Sequence, residues 1–165
     1  MMTASHNPKM YNGFKAYGED GAQLGPEDAD HVAEVMATVT NLTGVLQKTL
    51  SFEEATRSPL FHFMGAELDD MYDEMSLSLT LNGDLVCKHH DLPIVYSPLN
   101  GTGNKPVRRI LKKHGFTNVQ VVPEQELPDG NFPTTPTPNP ELAETLELAI
   151  AQAKRTGAAL VLATD

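Results

Sequence analysis

The sequence predicts an α/β fold: a mostly parallel sheet flanked by helices, preceded by a helical stretch. Three observations carry this. From residue 92 onward, short apolar runs rich in β-formers alternate with segments of helical periodicity, giving the order β, α, β, α, β. The runs themselves, 92–96, 119–122 and 158–163, are nearly continuous in apolar residues, as strands covered on both faces are. The chain has 165 residues of 40% hydrophobic composition, which suits one globular domain with an appendage.

The elements follow in order. Across 25–41 the positions Ala29, Val32, Ala33, Val35, Met36 and Val39 keep helical spacing, with Pro26 in the first turn and Glu27 and Asp28 at the positive end of the helix dipole. Ser51-Phe52-Glu53-Glu54 has the capping-box pattern. Leu68, Met71, Tyr72, Met75 and Leu79 recur helically, so 51–81 reads as one or two further helices, ended by Asn82-Gly83-Asp84.

Leu92-Pro93-Ile94-Val95-Tyr96 then predicts a strand, followed by a loop dense in turn residues from Ser97 to Gly103. Pro106 opens a helical segment with Val107, Ile110, Leu111 and His114 on one face, closed by Gly115, and 119–122 supplies the second strand. Five prolines between Pro123 and Pro138 exclude helix there and predict an extended connection. Asn139-Pro140-Glu141 reads as N-cap, first-turn proline and first-turn acid. The helix it opens buries Leu142, Leu146, Ala149, Ile150 and Ala153 and ends at Lys154, Arg155 and Gly157. The run 158–163 follows as a third buried strand.

Charge excludes some functions. With 12 basic and 22 acidic residues, the net charge is −10, and the clustered cations that nucleic-acid binding needs are missing. The longest apolar run, six residues, is far below the roughly 18 that span a membrane. No leader pattern is legible, and one cysteine, Cys87, cannot pair within the chain, so a reducing, cytoplasmic setting is expected. Cys87, His89, His90 and Asp91 lack metal-ligand spacing and read as a solvated loop before the strand. Asn100-Gly101-Thr102-Gly103-Asn104-Lys105 fits neither a P-loop nor a dinucleotide fingerprint. Lying between strand and helix, where backbone amides and the helix dipole can bind an anion, it reads first as a tight strand-to-helix turn and second as an anion site.

The chemistry concentrates near the start. In an acidic protein, Lys9, Lys15 and His6 gather beside the hydroxyl of Ser5, a local field suited to a phosphoryl group. A hydrolase dyad is disfavoured: Ser5 and His6 are adjacent, and no nucleophile elbow surrounds the serine.

Thr3-Ala4-Ser5-His6-Asn7-Pro8 followed by Asn12-Gly13-Phe14-Lys15 resembles the active-serine loop of the α-D-phosphohexomutases, the phosphoglucomutase and phosphomannomutase superfamily. Two further stretches are similar to second-domain segments of its phosphoglucomutase and phosphopentomutase-like branch: Ser97-Pro98-Leu99-Asn100-Gly101-Thr102-Gly103-Asn104-Lys105-Pro106-Val107, and the stretch from Phe132-Pro133 to Pro138-Asn139-Pro140-Glu141. The resemblance implies that Ser5 carries a phosphoryl group, which it gives to a sugar monophosphate and recovers from the bisphosphate intermediate. It further implies that His6 and Lys15 share acid/base or charge-stabilising work, and that Asn7 and Lys9 shape or charge the loop. Mg²⁺ is implied as the metal, held by phosphorylated Ser5 and by Asp165, which matches the first carboxylate of the family's Asp-x-Asp-x-Asp-Arg loop. A sugar bisphosphate is implied as activator.

The expected organisation is a serine loop and end of domain one over 1–45, a helical connection or insertion over 46–88, and domain two over 89–165. The chain is accordingly expected to be a piece of a mutase acting on a sugar phosphate, inactive on its own, with neither nucleic-acid nor membrane partners. Sugar preference and oligomeric state have no signal in the sequence. The rival from another class is a non-catalytic α/β interaction module.

Overall fold

Pro26 at the first helical position, with Glu27 and Asp28 beside it, starts α1, Pro26–Ala37, where the spacing predicts it. The computed structural model describes every residue except Ser5, Gln47 and Lys48. Two units are compact in themselves: Met1–Thr3 with Gly13–Gly65, and Ala4–Asn12 with Ala66–Asp165.

In the first unit, antiparallel bridges join Met2 to Phe14 and Tyr17 to Gln23. The second closes a small hairpin that turns at Gly21, whose φ of 76° favours glycine. Two short helices follow α1: α2, Leu42–Leu46, and α3, Phe52–Thr56. The Ser51 capping box forms in full. Glu54 N donates to Ser51 Oγ (3.2 Å), and Ser51 N donates to Glu54 Oε2 (2.9 Å). The Ser51 hydroxyl also donates to Glu54 Oε2 (2.6 Å), and this bond first and that from the Ser51 amide second hold the Glu54 carboxyl below its usual pKa.

In the second unit, α4, Ala66–Ser78, precedes α5, Gly83–Lys88. Asn82-Gly83-Asp84 therefore separates two helices and starts the second. Cys87 sits on α5 and His89 caps it, so the segment expected to be loop is helical up to Lys88. The strands are β1, Ile94–Ser97, β2, Val119–Val121, and β3, Leu160–Ala163, in the order β2-β1-β3, all parallel. The predicted α/β class and its parallel sheet are what forms. Ile94 faces Val119 on one side and Leu160 on the other. Central β1 is buried throughout, and Val95 packs with Val122, Ala149 and Ala153. Burying each of the two valines contributes on the order of 1.5–3 kcal/mol, and each alanine methyl less. The third strand departs from expectation. At the edge of this sheet it is half-covered, with Leu160 40% exposed.

The helix closed by Gly115 is α6, Asn104–Lys113; it begins two residues before Pro106, which still falls in the first turn. Two further boundaries correct the sequence reading. Helix was excluded from 123–138, yet Pro123 opens the single turn α7, Pro123–Glu126, because at the first position its missing N–H has no intrahelical partner to lose. The helix expected from Asn139 starts at Glu147 as α8, Glu147–Thr156, after a 3₁₀ turn over Ala143–Leu146. The Thr145 hydroxyl lies 3.0 Å from Asn139 O and 2.7 Å from Leu142 O, a local bonding pattern that competes with an α-helical start. The buried face shifts accordingly. It is Thr145, Ala149, Gln152 and Ala153, while Leu142 and Ile150 stay exposed. Small Ala149 and Ala153 let α8 lie close on the sheet, and Gly157, at φ 72°, ends it as predicted.

Leu68, Met71, Tyr72 and Met75 of α4 are exposed in this unit; its buried residue is Asp73. Arg109 on α6 grips that carboxylate at 2.5 Å and 2.9 Å, and Lys113 adds a contact at 2.8 Å. Asp69 and Asp70 extend the pairing to the same two cations. The hydrogen bonds from Arg109 and then Lys113 lower the Asp73 carboxyl to about 2, against the opposing pull of burial.

Candidate functional site

Open α/β sheets offer their ligand crevice at the carboxyl ends of the strands. Here β1 runs into Pro98-Leu99-Asn100-Gly101, with Leu99 and Asn100 at positive φ of 49° and 58°. A short polar network fixes this turn. The Ser97 hydroxyl donates to Gln125 Oε1 (2.7 Å) and accepts from Leu99 N (3.1 Å), and Gln125 Nε2 donates to Thr134 Oγ1 (3.0 Å). Asn100 Nδ2 donates to Leu127 O (2.8 Å), and Asn100 N to Gln125 O (2.8 Å). Ser97 and Gln125 are fully buried, so each bond replaces one to water, and losing a partner would leave a costly orphan. The start of α6 is tied to α7 as well: Asn104 Nδ2 donates to Glu126 O (2.8 Å) and Arg108 pairs with the Glu126 carboxylate at 2.6 Å.

The end of β3 packs into the same turn. Tyr96 Oη lies 2.8 Å from Thr164 Oγ1, and burial raises the tyrosine pKa, so the hydroxyl stays protonated and available for this bond. Gly103 is required by close approach: a Cβ there would run into Thr164 Oγ1 and meet Tyr96 Oη at 2.5 Å. Gly103→Ala should destabilise the protein by about 1–3 kcal/mol through forced repacking. Urea unfolding of the variant beside wild type checks this, and an unchanged midpoint would contradict the tight fit.

Against this strand end lies part of the sequence-predicted loop. Asn7 N donates to Ala4 O (3.1 Å) and Tyr11 N to Pro8 O (2.9 Å), the turns that Asn7-Pro8 predicts. His6 Nδ1 is 3.3 Å from Asp165 Oδ2, immediately beyond β3, with both side chains about two-fifths exposed. Lys9 Nζ donates to Asn131 Oδ1 (2.7 Å). Asn7 is exposed. Ser5, the expected phosphoryl carrier and metal ligand, lies outside the described residues. Lys15 belongs to the first unit, where its N–H donates to Met1 O (2.9 Å) and its half-buried side chain lines a cavity of about 230 Å³ with Val32 and Met36.

His6 and Asp165 are thus brought together. Lys9 meets Asn131, a residue the sequence reading did not single out, although Asp129-Gly130-Asn131 is itself a turn signal. Among the described residues no group of three or more metal-ligating side chains gathers. Asp165 offers one carboxylate, which by itself does not make the oxygen-rich site that Mg²⁺ prefers.

Two comparisons place this architecture. Residues 78–165 match the family described as Phosphoglucomutase/phosphomannomutase, alpha/beta/alpha domain II, and residues 1–43 match alpha/beta/alpha domain I of the same family. A phosphoglucomutase of Staphylococcus haemolyticus is 40% identical over 166 residues, taking in 100% of this chain and 29% of the relative. A phosphomannomutase of Mycoplasmoides pirum is 33% identical over the same shares of both chains, and one of Mycoplasma pneumoniae 35% identical over 99% and 28%. The chain therefore spans about 29% of the length of such relatives. No solved structure matches it significantly. No helix among the described residues is long and apolar enough to cross a membrane. With more than half of its residues matched by the domain II description alone, and the serine-loop end matched by domain I, the chain belongs to the phosphoglucomutase/phosphomannomutase family.

Proposed function

We propose that this chain supplies the phosphoserine loop and the adjoining α/β domain of a cytoplasmic phosphosugar mutase. The enzyme moves a phosphoryl group between the 1 and 6 positions of a hexose phosphate, or 1 and 5 of a pentose phosphate. The observation that carries this reading is the contact between His6 of the loop and Asp165 at the carboxyl end of β3, which brings a loop of phosphoryl-transfer character to the usual ligand end of a parallel sheet. Residues 1–45 are then the end of a first domain, 46–88 a connection and 89–165 the body of a second.

In the proposed reaction, phosphorylated Ser5 gives its phosphoryl group to the free hydroxyl of a sugar monophosphate. The P–O bond to serine breaks as the P–O bond to the sugar forms, the hydroxyl proton leaves to a base, and the freed serine oxygen takes up a proton from an acid. The products are a sugar bisphosphate and free Ser5. After reorientation, the Ser5 hydroxyl gives up its proton as the other phosphoryl group returns to it, and a proton is delivered to the sugar oxygen that group leaves, so the sum is an isomerisation with the enzyme restored. Lys15 and His6 are the candidates for moving those protons or meeting the developing charge. Lys9 adds positive charge and Asn7 shapes the turn. Mg²⁺, when bound, would supply charge neutralisation at the transferring phosphoryl group, with Asp165 as one of its oxygen donors. A sugar bisphosphate would prime unphosphorylated Ser5.

The reading is tested by incubating the full-length protein that contains this chain with glucose 1-phosphate, mannose 1-phosphate and ribose 1-phosphate in turn, with Mg²⁺ and a trace of the cognate bisphosphate. Conversion of at least one to its 6- or 5-phosphate, followed by phosphorus NMR, is expected. Failure with all three, in protein shown to be folded, would favour the interaction-module alternative.

A further inference from the structure

The proline-rich segment between α7 and the 3₁₀ turn is more than a connection. Asp129 Oδ1 accepts from Asn131 N (2.8 Å), Phe132 N donates to Asp129 O (3.0 Å), and Phe132 itself sits at φ 46°. Farther along, Thr134 is bonded to buried Gln125, which holds Ser97 at the end of β1. At its first end Asp129 N donates to Asn100 O (3.4 Å), so the segment is pinned at both ends of the Asn131 turn, and from that fixed turn Asn131 reaches Lys9 Nζ.

The chemistry of the partner matters. A carboxylate at this position would hold the ammonium more strongly but cancel its charge, whereas an amide oxygen accepts the hydrogen bond and leaves the net positive charge in place. In a chain of net charge −10 that distinction is useful only where a cation must remain available to an anion.

We propose that Asn131 is a positioning residue for the serine loop: its amide oxygen captures Lys9 Nζ, ties Ala4–Asn12 to the pinned proline-rich turn, and fixes the Lys9 charge without neutralising it. The inference rests on the mutase reading for the purpose of the charge, but the tether itself does not. Asn131 acts through Lys9 and makes no contact with the reacting atoms in this account.

The test compares wild type, Asn131→Ala, Lys9→Ala and the double variant in the full-length protein, by hydrogen exchange of the peptide covering residues 4–12 and by steady-state kinetics. Both single variants should speed exchange of that peptide severalfold, and each should lower kcat about tenfold with KM held within about twofold, as expected for lost positioning. The double variant should be no worse than Lys9→Ala alone, since both substitutions remove one interaction. Asn131→Asp separates the two roles: it should restore protection of residues 4–12 and leave kcat low. Unchanged exchange in Asn131→Ala, or single effects that multiply in the double variant, would overturn the tether. An Asn131→Asp protein of full activity would overturn the charge role. Should wild type prove to have no mutase activity at all, the functional reading falls, and the exchange measurements still decide whether Asn131 holds the loop.

Discussion

Ser5→Ala in the full-length protein is expected to lower kcat by at least about 10³-fold, because under the proposed mechanism it removes the group that carries the phosphoryl between the two half-reactions. Binding should survive. The sugar phosphate would still meet whatever groups recognise it, so its affinity should stay within a few-fold of wild type while turnover is lost. Isothermal titration with the substrate beside a coupled activity assay reads both quantities. Loss of affinity in step with turnover would point to a collapsed loop, and retained turnover would remove Ser5 from the chemistry. Ser5→Thr keeps a hydroxyl and should retain more activity than Ser5→Ala.

The second large effect concerns the clamp between α4 and α6. Arg109→Met leaves the buried Asp73 carboxylate to Lys113 alone, and stripping one partner from a buried ion pair is far costlier than replacing the pair. Amide protection along α4 should fall by about tenfold or more in that variant. The paired substitution Asp73→Leu with Arg109→Met should recover much of the protection, since no uncompensated charge then remains buried. An equal loss in both variants would contradict this view of the clamp. The pH dependence has a definite sign. The Asp73 carboxyl is held at about 2 in the folded chain, below its ordinary 3.8. Its contribution to stability is therefore fully present above pH 3.8 and is lost as the pH falls through about 2. Asp73→Asn should flatten that acid limb in urea unfolding measured from neutral pH downward.

Much of the fold was legible because it depends on local rules. The start of α1 at Pro26, the Ser51 capping box, the glycine stop at Gly157 and the three β-rich runs all follow from backbone chemistry within a few residues. What escaped depends on partners distant in sequence. Asp73 and Arg109 lie 36 positions apart, and a buried aspartate looks like a solvated one until its cations are in place. For the same reason, the apolar periodicity of α4 located the helix and not its buried residue. Counting prolines hid α7, since a proline at the first helical position helps a turn that one in its interior would break. The late start of α8 followed from Thr145 competing for nearby carbonyls, which no periodicity records.

The site was legible to a similar degree. Turn residues and local charge marked the loop of Ser5, His6, Asn7 and Lys9, and resemblance to the mutases supplied the roles proposed for them. The meeting of His6 with Asp165 joins residues 159 positions apart, and that of Lys9 with Asn131 joins residues 122 apart. Both contacts follow from how the sheet and its loops close, which single-sequence spacing does not encode.

The most direct test of the central claim is the intact mass of the full-length protein after incubation with a sugar bisphosphate and Mg²⁺, followed by peptide mapping. One added phosphate, mapped to Ser5 and absent from Ser5→Ala, is the predicted result. A folded wild-type protein that gains no phosphate, or gains it on another residue, would contradict the phosphoserine mechanism.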